Sequence, residues 1–486
     1  MTIAVTETGT LKKFSQITYL QYKSLPPEIQ DEYLAWAQRE WEKQWAELQF
    51  ERQGGISGIA KKKAEQEVKW LERVTTWSYL HAYVPQNRYN KSTFKKSKRL
   101  ELAMSTDSGY WKNAVTFVSI SLAAYTSWKY YQAVLRMSTP PVKQSVDELI
   151  GDTPLVLIKS LSKATGSHIY AKMELCNPAG SAKDRVAFNV IKEAEQDGRL
   201  VKGKPGWVFE GTSGSTGISI ALLCNALGYR AHISLPDDTS NEKLSLLESL
   251  GATINKVKPA SIVDPNQYVN AAKRACEELV KNGGRGIFAD QFENEANWRI
   301  HYETTGPEIY KQMNGQIDGF VAGCGTGGTI TGVCKYLKER ISPHVVLADP
   351  QGSGFYNRIN YGVMYDKVEK EGTRRRHQVD TMVEGIGLNR ITRNFEMGEH
   401  YIDASIRVTD DQAIKMSKFL SVQDGLFVGS STAINAVAAV KLSKNLGKGS
   451  RIVIIACDSG SRHLSKFWKT AKDIDRDITL EQVMID

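Results

Sequence analysis

An α/β fold with parallel sheets arranged in two lobes, preceded by a mainly helical extension, is what this sequence predicts. Three observations predict it. From Ser145 onward short apolar runs alternate with amphipathic helical patterns, glycine-rich loops join several of these runs to the helix that follows, and 486 residues exceed one typical domain. Crossover helices packed on parallel strands require an alternation of this kind.

The extension comes first. Residues 1–100 hold 17 Lys/Arg against 11 Asp/Glu, a surplus of 6 within a chain whose net charge is +9. The rest is close to balanced, which argues against a basic nucleic-acid surface in the later region and places any attraction to anionic partners in the extension. Met1 to about Ser24 has no apolar signal-peptide core, so a secretory signal is not expected. Pro27 suits a first helical turn and is followed by Glu28, Asp31 and Glu32, while Tyr33, Trp36, Ala37, Trp41, Trp45 and Leu48 approximate one helical stripe. Gly54, Gly55 and Gly58 break the pattern before a second helix over Ala60–Tyr79, so the two helices form a candidate hairpin. Lys95 to Arg99 reads as a solvated linker or a localisation signal.

Between Lys112 and Lys129 the run Ala114–Trp128 carries no charge, and Trp111, Trp128, Tyr130 and Tyr131 flank it. This is the layout of an interfacial belt, yet the run is shorter than the ~20 residues of a straight spanning helix. Residues 111–131 are thus a candidate membrane anchor or a partner-packing helix, and Pro140-Pro141 marks a linker over 132–144.

Beyond the linker, strands are expected at Leu155–Ile158, Trp207–Phe209, Ala231–Leu235, Thr253–Val257, Ile287–Ala289, Gly319–Val321, His344–Leu347 and Ile452–Ala456. Helices are expected at Ile218–Leu227, Glu242–Leu250, Tyr268–Asn282, Thr304–Gln312 and Ala433–Leu442. The six cysteines show no C-x-x-C pair and no zinc-like spacing, so free thiols in a reducing compartment and no metal site are expected. Cys176 and Cys324 are expected as small buried residues in tight turns.

Chemistry concentrates in the loops. Asn177 to Arg185 sets Lys183 among small residues directly ahead of a helical pattern. A lysine amine acts only when deprotonated, which a desolvated cleft favours. Gly211-Thr212-Ser213-Gly214-Ser215-Thr216-Gly217 follows one apolar strand and Gly323 to Thr329 another, each offering hydroxyls and N–H groups to an anion at a helix start. Gly425 to Thr432 is a third loop of this kind.

A lysine loop, two anion loops and a serine-rich loop in one α/β region resemble the fold-type II pyridoxal phosphate enzymes, and within them the cysteine synthase and cystathionine β-synthase family. The resemblance runs from about Asp147 to Trp468 and includes Glu148 to Leu155, Gln291-Phe292-Glu293-Asn294, Thr304 to Ile309 and Asp458-Ser459-Gly460. It is narrowest toward fungal mitochondrial cysteine-synthase-like proteins, which implies a mitochondrial location with an outer-membrane anchor, or else a cytoplasmic one. The organisation that follows is a helical basic extension (1–110), the candidate anchor, the linker, a catalytic region (145–470, small lobe about 187–296) and a tail (471–486).

Residue by residue, the resemblance puts the cofactor-bearing Schiff-base lysine at Lys183 and implies that the same amine shuttles the substrate α-proton. It implies a phosphate site at Gly325, Thr326, Gly327, Gly328 and Thr329, and Ser431 facing the pyridine nitrogen. Thr212, Ser213, Gly214 and Thr216 would hold the substrate carboxylate with help from Gln291, and Gly385 would close near the substrate amine. Ser215 stands where the family has an asparagine beside the cofactor 3-hydroxyl. The implied activity is β-replacement on O-acetylserine by sulfide through an aminoacrylate, in a homodimer. Alternatives are cystathionine synthesis from serine and homocysteine, sulfide release from cysteine, or a weakly active membrane-tethered scaffold. His301, His377 and His463 are expected to be structural or solvated, and too few residues follow Trp468 for a tandem nucleotide-sensing module.

Overall fold

The computed structural model describes residues 142–365 and 381–485 and, ahead of them, only the helical positions Tyr125 and Lys129. The helical stripe, the hairpin and the basic run of the extension therefore lie outside the described residues, as do His377 and, but for those two positions, the segment 111–131. Among the described residues no helix is long and apolar enough to cross a membrane.

Among the described residues ten strands form two sheets. In chain order they are β1 (Leu155–Leu157), β2 (His168–Met173), β3 (Trp207–Gly211), β4 (Arg230–Pro236), β5 (Thr253–Val257), β6 (Gly286–Phe288), β7 (Gly319–Gly323), β8 (His344–Pro350), β9 (Ala404–Val408) and β10 (Arg451–Ala456). The larger sheet has the order β1-β2-β10-β7-β8-β9 and the smaller β5-β4-β3-β6. The principal helices are α1 (Lys159–Thr165), α2 (Lys183–Gln196), α3 (Ser215–Leu227), α4 (Asn241–Ser249), α5 (Tyr268–Lys281), α6 (Ala296–Ile300), α7 (Gly306–Gln312), α8 (Gly328–Lys338), α9 (Phe355–Tyr361), α10 (Asp410–Gln423) and α11 (Ser430–Leu446).

Period-two burial explains the layering of the larger sheet. Ile452, Ile454 and Ala456 of β10 face one core with α1, α10 and α11, whereas Val453 and Ile455 face a second with α7, α8 and α9. β7 and β8 split in the same way, with Val321 and Val346 on one side and Phe320 and Leu347 on the other. The smaller sheet packs Val208, Ala231, Ile233 and Ile287 against α2, α3 and α4.

Two strands and one direction differ from expectation. β1 runs antiparallel to β2, because a single short helix returns the chain beside it at the sheet edge. β2 escapes a hydropathy reading because Lys172 sits next to its last residue, fully buried, on a Glu308 carboxylate at 2.6 Å. β9 is short and carries Ser405 and Arg407. The expected helix over Thr304–Gln312 is a π-helical turn, His301–Thr305, running into α7. The segment expected as a tail is docked: Ile478 and Val483 are buried in the α10–α11 core, and a Thr479–Gln482 capping box starts its last turn.

Candidate active site

Lys183 is the first residue of α2, and the turn before it is fixed from both sides. Asn177 accepts from the Gly151 N–H at 2.9 Å and donates to the Glu174 carbonyl at 2.8 Å. Asp184 folds back, accepting from the Ala179 N–H at 2.6 Å and from the Ser219 hydroxyl of α3 at 2.5 Å. Burial raises the Asp184 carboxyl to about 6. On the other side the Ala182 N–H donates to the Cys457 carbonyl at 3.3 Å, tying the turn to the end of β10.

Below the lysine lies a buried charge network. Arg185 is 1 % exposed and meets Glu174 at 2.8 Å and Glu308 at 2.6 Å; Lys172 meets the other Glu308 oxygen. Burial disfavours the Glu174 carboxylate, but Arg185 outweighs it and holds the group at about 2. Burial lowers Lys172.

The loop between β3 and α3 carries Thr212, Ser213 and Gly214, and Ser215 and Thr216 open α3. The Thr212 hydroxyl accepts from the Gly214 N–H at 3.1 Å, and Thr216 donates to Gln291 Oε1 at 2.6 Å. Gln291 is held in turn by Glu210, whose oxygens accept its side-chain N–H at 3.1 Å and its backbone N–H at 3.3 Å. Burial, with Asp290 nearby, pushes Glu210 up to about 8. Serine and threonine content marked this loop in the sequence; no local signal marked Glu210 as the support of a residue 81 positions away.

Gly325 to Thr329 leads into the N-terminus of α8, where first-turn N–H groups have no intrahelical partner. Gly327 has φ +91°, and a Cβ there would lie 2.7 Å from Phe395. Thr326 accepts from Asn297 at 2.9 Å, and Thr329 meets His301 Nε2 at 3.1 Å. His301 is fully buried, its Nδ1 2.9 Å from Thr305, and burial lowers it to about 3, so it is a neutral support for the loop. Helix N–H groups, two threonine hydroxyls and a glycine backbone suit a phosphate monoester. This donor set fits pyridoxal phosphate, with the Lys183 amine available to its aldehyde.

One cavity of about 780 Å³ collects these groups. Lys183, Thr212, Ser213, Gly214, Ser215, Thr216, Gln291, Gly325, Thr326, Gly327, Thr329, Gly385 and Ser431 all line it; Gly328 lies behind the loop against Asn297. Ser431 faces Cys457, whose thiol burial raises to about 11. Cys324 is buried as expected, but Cys176 is exposed, since it ends a short turn at the surface.

Residues 146–458 match the family described as "Pyridoxal-phosphate dependent enzyme". The chain belongs to that family. A Saccharomyces cerevisiae protein described as "Putative mitochondrial cysteine synthase" is 74% identical over 378 residues, covering 77% of this chain and 96% of the relative. "Cysteine synthase 2" of Neurospora crassa is 57% identical over 338 residues, 68% of this chain and 74% of its own. Among solved structures, a hydrogen sulfide-producing enzyme from Fusobacterium nucleatum shares 32% identity with a TM-score of 0.56, covering 67% of this chain and 99% of that one. An O-ureido-L-serine synthase shares 27% with a TM-score of 0.58, covering 70% and 98%. The two-sheet architecture is that of a fold-type II enzyme, and the cofactor of this pyridoxal-phosphate enzyme is pyridoxal phosphate.

Two contacts around the cavity have direct consequences. A Cβ on Gly325 would lie 2.2 Å from the Gly385 carbonyl, so the Gly325–Thr329 loop and the 384–387 loop touch backbone to backbone. Gly325→Ala is expected to weaken cofactor binding about tenfold and to raise the substrate KM as well, because overpacking of about 1–3 kcal/mol must move both loops; cofactor titration and steady-state kinetics check this. The second contact is a clasp. Lys243 of α4 meets Glu384 at 2.8 Å, Glu384 meets His463 at 3.3 Å, and His463 meets Asp458 at 3.0 Å. Burial opposes the His463 charge, but the two carboxylates raise it to about 9; Glu384, with His463 and Lys243 beside it, falls to about 2. Stability from the raised His463 is fully present below its ordinary value of 6.5 and is lost as pH rises through about 9. The Tm deficit of His463→Gln is therefore expected to be largest near pH 6 and to shrink toward pH 10.

Proposed function

We propose that this chain is a cysteine synthase that exchanges the acetate of O-acetylserine for sulfide. The observation that supports the reading is the convergence of Lys183, the Thr212–Thr216 loop and the α8 N-terminus on one cavity. Pyridoxal phosphate, when bound, supplies the electron sink that makes the substrate α-proton acidic and lets the β-substituent leave. Lys183 Nζ holds the cofactor, then takes the α-proton and returns it after the nucleophile has added. Thr212, Ser213, Gly214 and Thr216 orient the carboxylate, with Gln291 fixed by Glu210. The Gly385 backbone closes near the amine. Ser431 offers a neutral hydroxyl to the ring nitrogen, which makes for a moderate sink suited to loss of a β-leaving group. Cysteine formation from O-acetylserine and sulfide by the full chain, compared with cystathionine formation from serine and homocysteine and with sulfide release from cysteine, tests the assignment. No cysteine above a protein-free control would overturn it.

Mitochondrial residence and a homodimer belong to the same proposal. The first is supported by the description of the yeast relative, the second by the edge strand β1, which leaves Val156 and Leu157 partly exposed. No observation supports a membrane-tethered scaffold or membrane contact through 111–131. Deleting that segment and fractionating cells distinguishes an anchored protein, which the deletion would release, from an unanchored one.

A further inference from the structure

Arg462 reaches across the cavity wall in a way the reaction as described does not use. Its Nη1 donates to the Ser215 hydroxyl at 2.9 Å, joining the loop after β10 to the first residue of α3. Its Nη2 lies over the lysine turn, 3.3 Å from where a Cβ on Gly180 would sit. Asp458 and Asp184 act on it electrostatically without a hydrogen bond to it: one Asp458 oxygen meets His463 and the other has no hydrogen-bond partner among the described residues, while the Asp184 oxygens are engaged with Ala179 and Ser219. The guanidinium thus sits between the lysine-bearing turn and the carboxylate loop, and both it and Ser215 line the cavity.

The order of substituents on the cofactor gives this position a meaning. In pyridoxal phosphate the ring carbon bearing the aldehyde stands between the phosphate arm and the acidic 3-oxygen. With the aldehyde at Lys183 and the phosphate at α8, the 3-oxygen would fall on the flank of Lys183 away from α8. The phosphate loop packs on Asn297, Thr392 and Phe395, none of which bonds to Ser215 or Arg462. Ser215 and Arg462 meet beside Gly180 instead. A serine side chain is shorter than an asparagine amide; a guanidinium carries five N–H donors, of which Ser215 accepts one. An anionic phenolic oxygen is the partner such a donor suits best.

We propose that Arg462, seated on Gly180 and held by Ser215, binds the 3-oxygen of pyridoxal phosphate and supplies the donor that Ser215 is too short to give. The inference rests on the reading of Lys183 and the α8 loop as the cofactor site. It makes Arg462 a cofactor-binding residue of this chain, and it makes Ser215 and Arg462 a pair that works together.

The test uses the full-length holoprotein and four variants: Arg462→Gln, Arg462→Lys, Ser215→Asn/Arg462→Gln and Lys183→Ala. Two readouts besides turnover decide it: the visible spectrum of the bound cofactor from pH 6 to 9, and the cofactor dissociation constant obtained by titrating apoprotein. Arg462→Gln is expected to shift the spectrum from the ionised to the protonated 3-oxygen form and to weaken cofactor binding about tenfold, the loss of one charge-assisted hydrogen bond. Arg462→Lys retains part of both properties. Adding Ser215→Asn to Arg462→Gln restores them, because an asparagine amide reaches the same oxygen. A spectrum and dissociation constant unchanged in Arg462→Gln would overturn the proposal, as would losses in Arg462→Gln that the double variant fails to recover, the result expected of a strap between loops. Lys183→Ala separates the two levels: if it keeps the wild-type lysine-linked band, the underlying site assignment fails, and if it loses that band the assignment stands whatever Arg462 does.

Discussion

Lys183→Ala is expected to lower the steady-state rate of cysteine formation by about 10³-fold or more, with the protein still folded and the substrate KM changed far less. The magnitude follows from the two tasks assigned to one amine, since proton transfer by a positioned group alone contributes about 10²–10⁴-fold. Folding should survive because the turn is held by Asn177, Asp184 and the Ala182–Cys457 backbone bond, none of which involves the lysine side chain. Equal rates for wild type and variant would remove Lys183 from the mechanism.

Arg185→Met is expected to destabilise the fold by about 3–5 kcal/mol, read as a lower urea midpoint at an unchanged m-value. The cost comes from what is left behind. Glu174 is fully buried and Glu308 mostly so, and with Arg185 gone Lys172 is the one cation of this network left, beside the neutral donors Thr153 and Asn177 on Glu174 and the Asp152 N–H on Glu308. A buried carboxylate without its partner must either take up a proton or unfold its surroundings. A loss under about 1 kcal/mol would show that water or Lys172 compensates, and that the network does not hold the base of α2.

What the sequence revealed, and what it hid, follows the range of the interactions. Period-two runs such as Ile452–Ala456 and strand–glycine–helix junctions such as Gly325–Thr329 are local, so their positions were legible without coordinates. The positions of the lysine turn and of the Thr212–Thr216 segment were legible for the same reason. β2 was not, because Lys172 breaks its apolar pattern and is tolerated through the Thr153 carbonyl, Gln312 and Glu308, the last 136 positions away. Nor were the supports of the site. His301 steadies Thr329 over 28 positions and Arg462 reaches Ser215 over 247, and no spacing rule announces such pairs. His463 reads as a solvated or structural residue; its place between Glu384 and Asp458 depends on two separate segments meeting.

The two ties on the lysine turn have a mechanical meaning. Asp184 binds the turn to α3 on the smaller sheet, while Ala182 binds it to the end of β10 in the larger one. An attachment shared by two bodies is where a pivot belongs. If the smaller sheet swings as the cleft opens and shuts, Thr212–Thr216 and Lys243 travel with it, while the amine of Lys183 stays close to the axis. The cleft can then open and shut many times without displacing the amine to which the proposed chemistry is assigned.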